Sequence, residues 1–205
     1  MIATTAPEKL YTVEEYLAFE KKAQSKYEYH NGKIVPMPGG TATHNQIASR
    51  LITALTNAID AIKKEFIVYN SDMKIQIPVY NHFVYPDAVV VCEQPAFYEG
   101  RKDIITNPLL VAEVLSPSTE EYDQHMKFDK YRKIPSFREY LLVRQDGPFV
   151  STYFREEENL WRTTDVQNLE ASIALKSIEC ALPLSKIYKG VTFETPSSPT
   201  ERKPT

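Results

Sequence analysis

Apolar residues in the chain recur at two spacings, one typical of helices and one typical of strands. The segment THNQIASRLITALTNAIDAIKKE (residues 43–65) predicts a long amphipathic helix, because its apolar positions fall on one face. These positions are Ile47, Leu51, Leu55, Ile59 and Ile62. A shorter helix is predicted for TVEEYLAFE (residues 12–20), where Thr12 is placed to cap the helix and Glu15 completes a capping box.

Strands are predicted where β-branched and aromatic residues concentrate between Pro, Asn and Gly. Asn31-Gly32, between YEYH and KIVPM, is a strong signal for a β-hairpin. Three strand regions follow the long helix: FIVYNSDMKIQIP (residues 66–78), FVYPDAVVVC (residues 83–92) and PLLVAEVLS (residues 108–116). REYLLVR (residues 138–144) predicts another strand, and PFVSTYFREEENLWRTTDV (residues 148–166) predicts an antiparallel hairpin.

A third helix is predicted for STEEYDQHMKFDKYRKI (residues 118–134). It begins at the cap-like SPSTEE and ends before Pro135, because the residue that precedes a proline is biased away from helical geometry. The order of helix, strands, helix and strands predicts a mixed sheet flanked by helices, an α/β or α+β fold.

The composition is that of an ordinary globular protein. The 205 residues, 42% hydrophobic and 25% charged, predict one domain over residues 8–194, followed by a disordered tail, TPSSPTERKPT (residues 195–205). No apolar run suits a membrane span or a secretion signal, so a cytoplasmic protein without a membrane partner is expected. The net charge of -3 argues against binding nucleic acid through overall positive charge, but a local basic groove stays possible.

Two acidic residues interrupt the apolar strands. Asp87 is predicted to share a strand face with Val89, and Glu113 shares one with Val111 and Leu115. An unpaired buried carboxylate is costly, so both acids need a metal, a basic group or hydrogen bonds. If the strands are neighbours, the carboxylates could converge on one hard cation such as Mg²⁺. A Pro-Asp pair is also common at strand starts and turns, so Asp87 alone is compatible with a structural role.

A Pro-Asp pair on one strand and an acid on the next resemble the PD-(D/E)XK nuclease superfamily, in which a lysine lies two residues after the second acid. Leu115 stands at that place here. Asp123, Lys127 and Tyr131 recur every four residues on the next predicted helix, and Lys127 is long enough to reach the sheet. A charge-rich helix is also commonly just a solvated face.

The segments YPDAVVV, VAEVLSPST and YDQHMKFDKYRKIPSFREYLLV together resemble the Uma-two family of predicted restriction endonucleases, in which the lysine lies on this helix. KYEYHNGKIVPMPGGTATH and SDMKIQIP extend the resemblance over about residues 11–153. The resemblance implies a restriction-endonuclease-like mixed central sheet flanked by helices, with an added N-terminal hairpin and C-terminal strands.

The resemblance also implies roles for individual residues. Asp87 and Glu113 would bind Mg²⁺ or Mn²⁺, and Lys127 would be the catalytic cation. Glu28, in YEYHNGK, would complete the metal shell or orient a water, and the carbonyl of Val114 would be a further ligand. The implied chemistry is metal-dependent hydrolysis of phosphodiester bonds.

Four residues are candidates for contacts with the substrate, and each has a structural alternative. His44 could reach the site or cap the long helix, and Lys74 could contact a phosphate or lie on the open face of a strand. Ser116 opens SPSTEE, whose amides could hold a phosphate or simply begin a helix. Tyr131 could support the site or pack in the core.

The remaining histidines show no spacing typical of metal ligands, and surface positions are predicted for His30, His82 and His125.

Three functions remain open from the sequence. The leading hypothesis is a metal-dependent endonuclease that acts on DNA, which the acid pair and the relocated lysine favour. Leu115 motivates the second, a nuclease fold that binds nucleic acid or assembles with partners without turnover. The third is a structural domain whose acids are satisfied by internal hydrogen bonds. A homodimer is expected by analogy with nucleases that cut two strands.

Overall fold

The computed structural model describes residues 9–116 and 122–193. Its helical elements are α1 (Val13–Glu20), α2 (Ala42–Ile62), the π-helical segment π1 (Tyr122–Lys127), α3 (Phe128–Tyr131) and α4 (Leu184–Ile187), with short 3-10 turns at Pro78–Tyr80 and Tyr98–Gly100. The capping box predicted for α1 is confirmed. Thr12 Oγ1 accepts from the Glu15 amide at 3.2 Å, and the Thr12 amide donates to Glu15 Oε2 at 2.9 Å.

The strands run in chain order as follows: β1 (Tyr27–His30), β2 (Lys33–Pro36), β3 (Phe66–Asn70), β4 (Lys74–Ile77), β5 (His82–Val84), β6 (Ala88–Cys92), β7 (Ile104–Ile105), β8 (Leu110–Leu115), β9 (Glu139–Arg144), β10 (Phe149–Glu157), β11 (Leu160–Gln167), β12 (Ser172–Leu175) and β13 (Cys180–Pro183). Within the described residues they form three sheets. The central sheet has the order β11-β10-β9-β8-β6-β3, the N-terminal sheet has the order β2-β1-β5-β4-β7, and β12 pairs with β13.

The central sheet is mixed, as predicted. Strands β8 and β9 are parallel, whereas β6 is antiparallel to both β8 and β3. The predicted hairpin PFVSTYFREEENLWRTTDV is confirmed as β10 and β11. The hairpin at Asn31-Gly32 is confirmed as β1 and β2, and its two turn residues have positive φ angles of 47° and 99°, which Asn and Gly adopt readily.

Both faces of the central sheet are covered, so its middle strands are apolar on each side. One face packs on α2, whose buried positions are Ile47, Leu51, Leu55 and Ile59 as predicted, while Ile62 is only partly buried. The other face carries Val89, Val111 and Leu115 and packs under π1 and α3. Glu113 belongs to this second face, because it alternates with Ala112 and Val114 along β8.

The predicted third helix is partly wrong in form and extent. Its described part is π1 followed by the short α3, which ends at Tyr131, and a turn then leads to Ile134 before Pro135. The predicted start, SPSTEE, lies mostly outside the described residues, as does the tail predicted to be disordered. Over the ranges 9–116 and 122–193, none of the helices combines the length and the apolar character that crossing a membrane requires.

The prediction that His82 lies at the surface is wrong. His82 is only 9% exposed on β5, and its ring stacks on that of His30 with a centroid distance of 4.6 Å. Its Nδ1 atom is buried and has no hydrogen-bond partner among the described residues. Burial and the neighbouring charge of His30 lower the pKa of His82 to about 4.

This burial predicts a loss of stability in mild acid. The pKa of His82 is lower in the folded protein than the ordinary 6.5 of an unfolded chain, so the unfolded state binds the extra proton. Its contribution is complete above about pH 6.5, falls by roughly 2 kcal/mol by pH 5, and falls further as the pH approaches 4. Urea unfolding at pH 7.5 and 5 should show a smaller difference for His82→Phe than for wild type. The exposed His125→Phe variant is the control, and an unchanged difference in His82→Phe would contradict the account.

Candidate active site

Asp87 and Glu113 meet where β6 ends against β8. The strands pair with Ala88 opposite Ala112, so Asp87 lies one residue ahead of β6 and beside Glu113. The expectation that Asp87 lies within the strand is therefore wrong, since Pro86 ends the ladder there. The two strands are neighbours in the central sheet, which is the condition for the two carboxylates to converge. The Asp87 amide donates to Glu113 Oε2 at 3.3 Å, which places both acids in one pocket.

The Asp87 carboxylate is held by two groups from different elements. Its Oδ2 atom accepts a hydrogen bond from the Val114 amide at 2.7 Å, and its Oδ1 atom lies 2.9 Å from His44 Nε2. His44 reaches Asp87 from the first turn of α2, whose cap is Thr41 and not His44. Gly40 leaves room for this ring, because a Cβ atom there would lie 2.7 Å from His44 Cδ2.

Lys127 lies between two buried carboxylates. Its Nζ atom is 3.1 Å from Glu113 Oε1 and 3.2 Å from Asp123 Oδ1. Glu113 is 3% exposed and Lys127 8%, so the pair is shielded from water. A lysine from the helical segment π1 therefore contacts Glu113. The position two residues after Glu113 on the strand, where the superfamily has its lysine, holds Leu115, which packs in the core.

The π1 segment is held on the sheet by two tyrosines. Tyr140 of β9 donates to the carbonyl of Asp123 at 3.1 Å, and Tyr131 donates to Glu113 Oε1 at 3.3 Å. Tyr131 is fully buried, so the expectation of a direct contact with substrate is corrected to a contact with Glu113. A π-helical turn is wider than an α-helical one and is frequent at functional sites. Tyr140 is a supporting residue that the sequence alone did not single out.

Charge in the pocket is unbalanced toward the acids. Burial raises the pKa of Glu113 well above its usual range, and the charges of Asp123 and Asp87 add to this effect while Lys127 opposes it. Burial lowers the pKa of Lys127, but Glu113, Asp123 and Glu28 outweigh it and raise that pKa well above its usual range. The lysine keeps its proton because several acids surround it, and its charge offsets part of the cost of ionising Glu113.

Glu28 of β1 brings the N-terminal sheet to the same region. Its Oε1 atom accepts from the Tyr85 amide at 3.1 Å, and its Oε2 atom lies 2.9 Å from His30 Nε2. Burial raises the pKa of Glu28, but the His30 contact, the charge of Lys127 and the Tyr85 amide outweigh it and lower that pKa below its usual range. His30, predicted to be a surface residue, is therefore a partner of the site.

Of the predicted substrate contacts, Lys74 lies elsewhere and Ser116 stays a prediction. Lys74 is 4% exposed, so both alternatives for it are wrong: its ammonium donates to Glu20 at 2.8 Å, Asp103 at 3.0 Å and Tyr85 at 3.1 Å, in a separate buried network. Ser116 directly follows β8 and is partly buried. The segment after it lies outside the described residues, so the structure does not bear on its predicted phosphate contact.

The carboxylates fit a hard cation, although they do not form a complete cage. In the two described stretches, no three side chains of His, Cys, Asp or Glu are arranged to hold a metal ion. Mg²⁺ does not require such a set, because it is commonly bound by one or two carboxylates together with water and phosphate oxygens. The Val114 amide points at Asp87, and the carbonyl of a strand residue lies on the same side as its amide, so this carbonyl also faces Asp87.

Comparisons with known proteins identify the family and the fold. The model of the Uma2 family, described as "Putative restriction endonuclease", matches residues 13–185. Two proteins of Synechocystis sp. are similar in sequence. The protein slr1290 is 37% identical over 92% of this chain and 97% of its own length, and sll1609 is 35% identical over 84% of this chain and 95% of its own length. Both are described as uncharacterized. In fold the chain is similar to a crystal structure from Anabaena variabilis titled a putative nuclease of DUF820, with a TM-score of 0.68 and 17% identity, over 87% of this chain and 97% of that one.

The buried lysine predicts a large stability effect in the absence of divalent metal. Lys127→Met leaves Glu113 and Asp123 without their cation, and breaking one side of a buried ion pair costs roughly 3–5 kcal/mol. Adding Glu113→Gln should restore part of this loss, because one of the uncompensated acids is removed. Urea unfolding in EDTA measures both effects. The exposed Lys133→Met should change stability by less than about 0.5 kcal/mol. A similarly small effect of Lys127→Met would contradict the proposed burial.

Proposed function

The chain belongs to the Uma2 family, and from this membership and its acidic pocket we propose that it is a metal-dependent endonuclease that hydrolyses phosphodiester bonds of DNA. The observation that carries the proposal is the position of Lys127. Its ammonium group contacts Glu113 from the helix, so the pocket contains the cation that Leu115 fails to supply. Asp87, the second acid of the site, is partly exposed, so its carboxylate is accessible to a cation or a substrate.

Asp87 and Glu113 would hold Mg²⁺ or Mn²⁺, with the Val114 carbonyl as a further ligand. Such a cation supplies Lewis acidity toward a phosphate oxygen and lowers the pKa of water. His44 and the Val114 amide orient the Asp87 carboxylate, while Tyr131 orients that of Glu113. These contacts fix the two acids before a substrate arrives, which reduces the reorganisation needed for catalysis.

Lys127 would neutralise the negative charge that develops on the phosphate. Its high pKa keeps it cationic, and its buried position makes the charge more effective than it would be in water. Glu28 would orient a water or complete the metal shell from the N-terminal sheet, since its carboxylate is fixed by the Tyr85 amide and by His30. A cytoplasmic location, with access to DNA, belongs to the same proposal.

Cleavage assays test this proposal. We expect Mg²⁺- or Mn²⁺-dependent cleavage of DNA by wild type and no detectable cleavage by Asp87→Asn and Glu113→Gln. Lys127→Met should lower the rate on the order of 100-fold, as removal of a charge-stabilising donor does. Glu139→Gln is the matched control: Glu139 is also fully buried on a strand, but it binds the Lys176 and Ser177 amides away from the site.

Circular dichroism must show that each variant is folded. Cleavage that survives in both Asp87→Asn and Glu113→Gln would remove the proposed site. Calorimetry with Mg²⁺ distinguishes the enzyme from a catalytically inactive protein of the same fold. An inactive site should bind Mg²⁺ weakly, and its affinity should not change in Glu113→Gln. Metal-independent cleavage by wild type would contradict the proposal as well.

A homodimer is the assembly we propose, because cutting both strands of a duplex favours two sites and closed two-fold dimers are common. Light scattering at micromolar concentration should give about twice the 23.5 kDa mass of the chain. A monomer mass under the conditions where the protein cleaves duplex DNA would contradict a dimeric enzyme.

A further inference from the structure

A basic pocket lies between the segment that joins α3 to β9 and the end of the β10–β11 hairpin. Its volume is about 620 Å³. The residues that line it are Arg132, Lys133, Pro135, Arg138, Arg155, Glu158, Asn159 and Trp161. None of these residues takes part in the acidic site described above.

The charge of this basic pocket is opposite to that of the whole chain. Four of its eight lining residues are cationic and only Glu158 is anionic, whereas the chain carries a net charge of -3. Arg132 is paired with Asp129 at 3.1 Å, which leaves an excess of positive charge even when that acid is included. Lys133 and Arg138 are exposed at its rim. A concentration of cations on an acidic protein attracts anionic ligands.

Arg155 supplies a buried charge to the basic pocket. It is 8% exposed, and its guanidinium lies 4.8 Å from the centre of the Trp161 ring. It donates to the carbonyls of Arg132 and Ile134, the latter at 3.4 Å. Among the described residues its Nε atom has no hydrogen-bond partner. Burial and the charge of Arg138 lower the pKa of Arg155, while the charge of Glu158 opposes them.

Other arginines of the β9–β11 region are paired differently. Arg144 contacts both carboxylate oxygens of Asp146, and Arg162 contacts both of Glu156. In the described part of the chain, no carboxylate lies within ion-pair distance of Arg155. Because a buried charge is costly without a counter-ion, an external anion would stabilise the basic pocket.

The basic pocket lies on the same face of the central sheet as Glu113. Trp161 packs against the apolar residues of that face, and Arg138 precedes the β9 residue that pairs with Leu110. Arg138 lies one residue before this pair and Glu113 lies three residues beyond it, so four residues separate them along the strand direction. At the rise of a β-strand this separation is about 13 Å. This separation is close to the rise of about four nucleotides in one strand of B-DNA.

The aromatic residue of the basic pocket is not free to stack on a base. The Trp161 ring is covered by Arg155, lies edge-on to Phe128 with a centroid distance of 4.9 Å, and packs against Phe137 at 5.6 Å. Trp161 therefore positions Arg155, and the groups left for a ligand are cationic. This combination suits a backbone phosphate better than a free nucleotide whose base needs a stacking partner.

We propose that the basic pocket binds a backbone phosphate of a nucleic acid, with Lys133 and Arg138 as rim contacts and Arg155 as the buried charge of its floor. This inference rests on the proposed function in taking nucleic acid as the substrate. It adds a phosphate contact outside the acidic site, at a distance of about four nucleotides along the strand. Such a contact positions the substrate and carries no sequence information.

Binding measured without cleavage tests the inference. Fluorescence anisotropy of a labelled DNA duplex, in EDTA and at several salt concentrations, is compared for wild type and the double variant Lys133→Gln/Arg138→Gln. We expect about tenfold weaker binding and a salt dependence reduced by about two charges. The matched control is Arg50→Gln/Lys63→Gln, which removes two exposed cations of α2 and its C-cap and should change affinity less than about twofold.

The rim residues are exposed, so the double variant tests the basic pocket without disturbing the buried Arg155. Equal affinities of wild type and the double variant, or no DNA binding by wild type, would overturn the inference. A free nucleotide is the alternative ligand. The inference would also be overturned if ATP raised the melting temperature of wild type but not of the double variant, while both proteins bound DNA with the same affinity. If DNA binds as expected but is never cut with Mg²⁺ or Mn²⁺, the proposed hydrolysis fails while the basic pocket stands.

Discussion

The buried contact between Glu113 and Lys127 is the interaction on which the site depends. It connects a central strand to π1, and it brings an ammonium group to the acid although the strand itself offers Leu115 two residues later. The proposed chemistry requires a positive charge at this position, not a lysine at a particular place in the sequence. A helix packed on the same face as Glu113 meets that requirement, and Tyr140 fixes this helix by binding the Asp123 carbonyl.

Parts of the chain that are remote in sequence are needed to complete this arrangement. Asp87 comes from the end of the β6 ladder, His44 from the start of α2, and Glu28 from the N-terminal hairpin. Each carboxylate is held by an amide or a histidine before any metal or substrate is bound. Sheet pairing therefore supplies the positions, and the short polar contacts supply the orientations.

Local patterns were enough to predict much of the fold. Asn31-Gly32 specifies a hairpin because both residues accept positive φ angles, and the apolar spacing of α2 specifies its buried face. Glu113 was predictable because an acid between apolar neighbours on a central strand needs a partner. The same signal also occurs at Glu139, whose partners are the amides of the β12–β13 turn, so a buried acid alone does not identify a site.

Contacts between distant segments could not be predicted in the same way. Lys74 lies on a strand of ordinary appearance, and only the fold shows that Glu20 and Asp103 enclose it. The roles of His30 and the burial of His82 depend on the pairing of β1 with β5, which the sequence does not specify. The basic pocket likewise combines a turn and a hairpin that are separate in the sequence.

Anomalous scattering from crystals soaked in Mn²⁺ tests the central claim most directly, because it locates the cation without relying on activity. The account predicts a peak about 2.0–2.3 Å from carboxylate oxygens of both Asp87 and Glu113, with Lys127 still beside Glu113. A well-occupied Mn²⁺ at another position, with the Asp87 and Glu113 carboxylates bound only to protein groups, would contradict it.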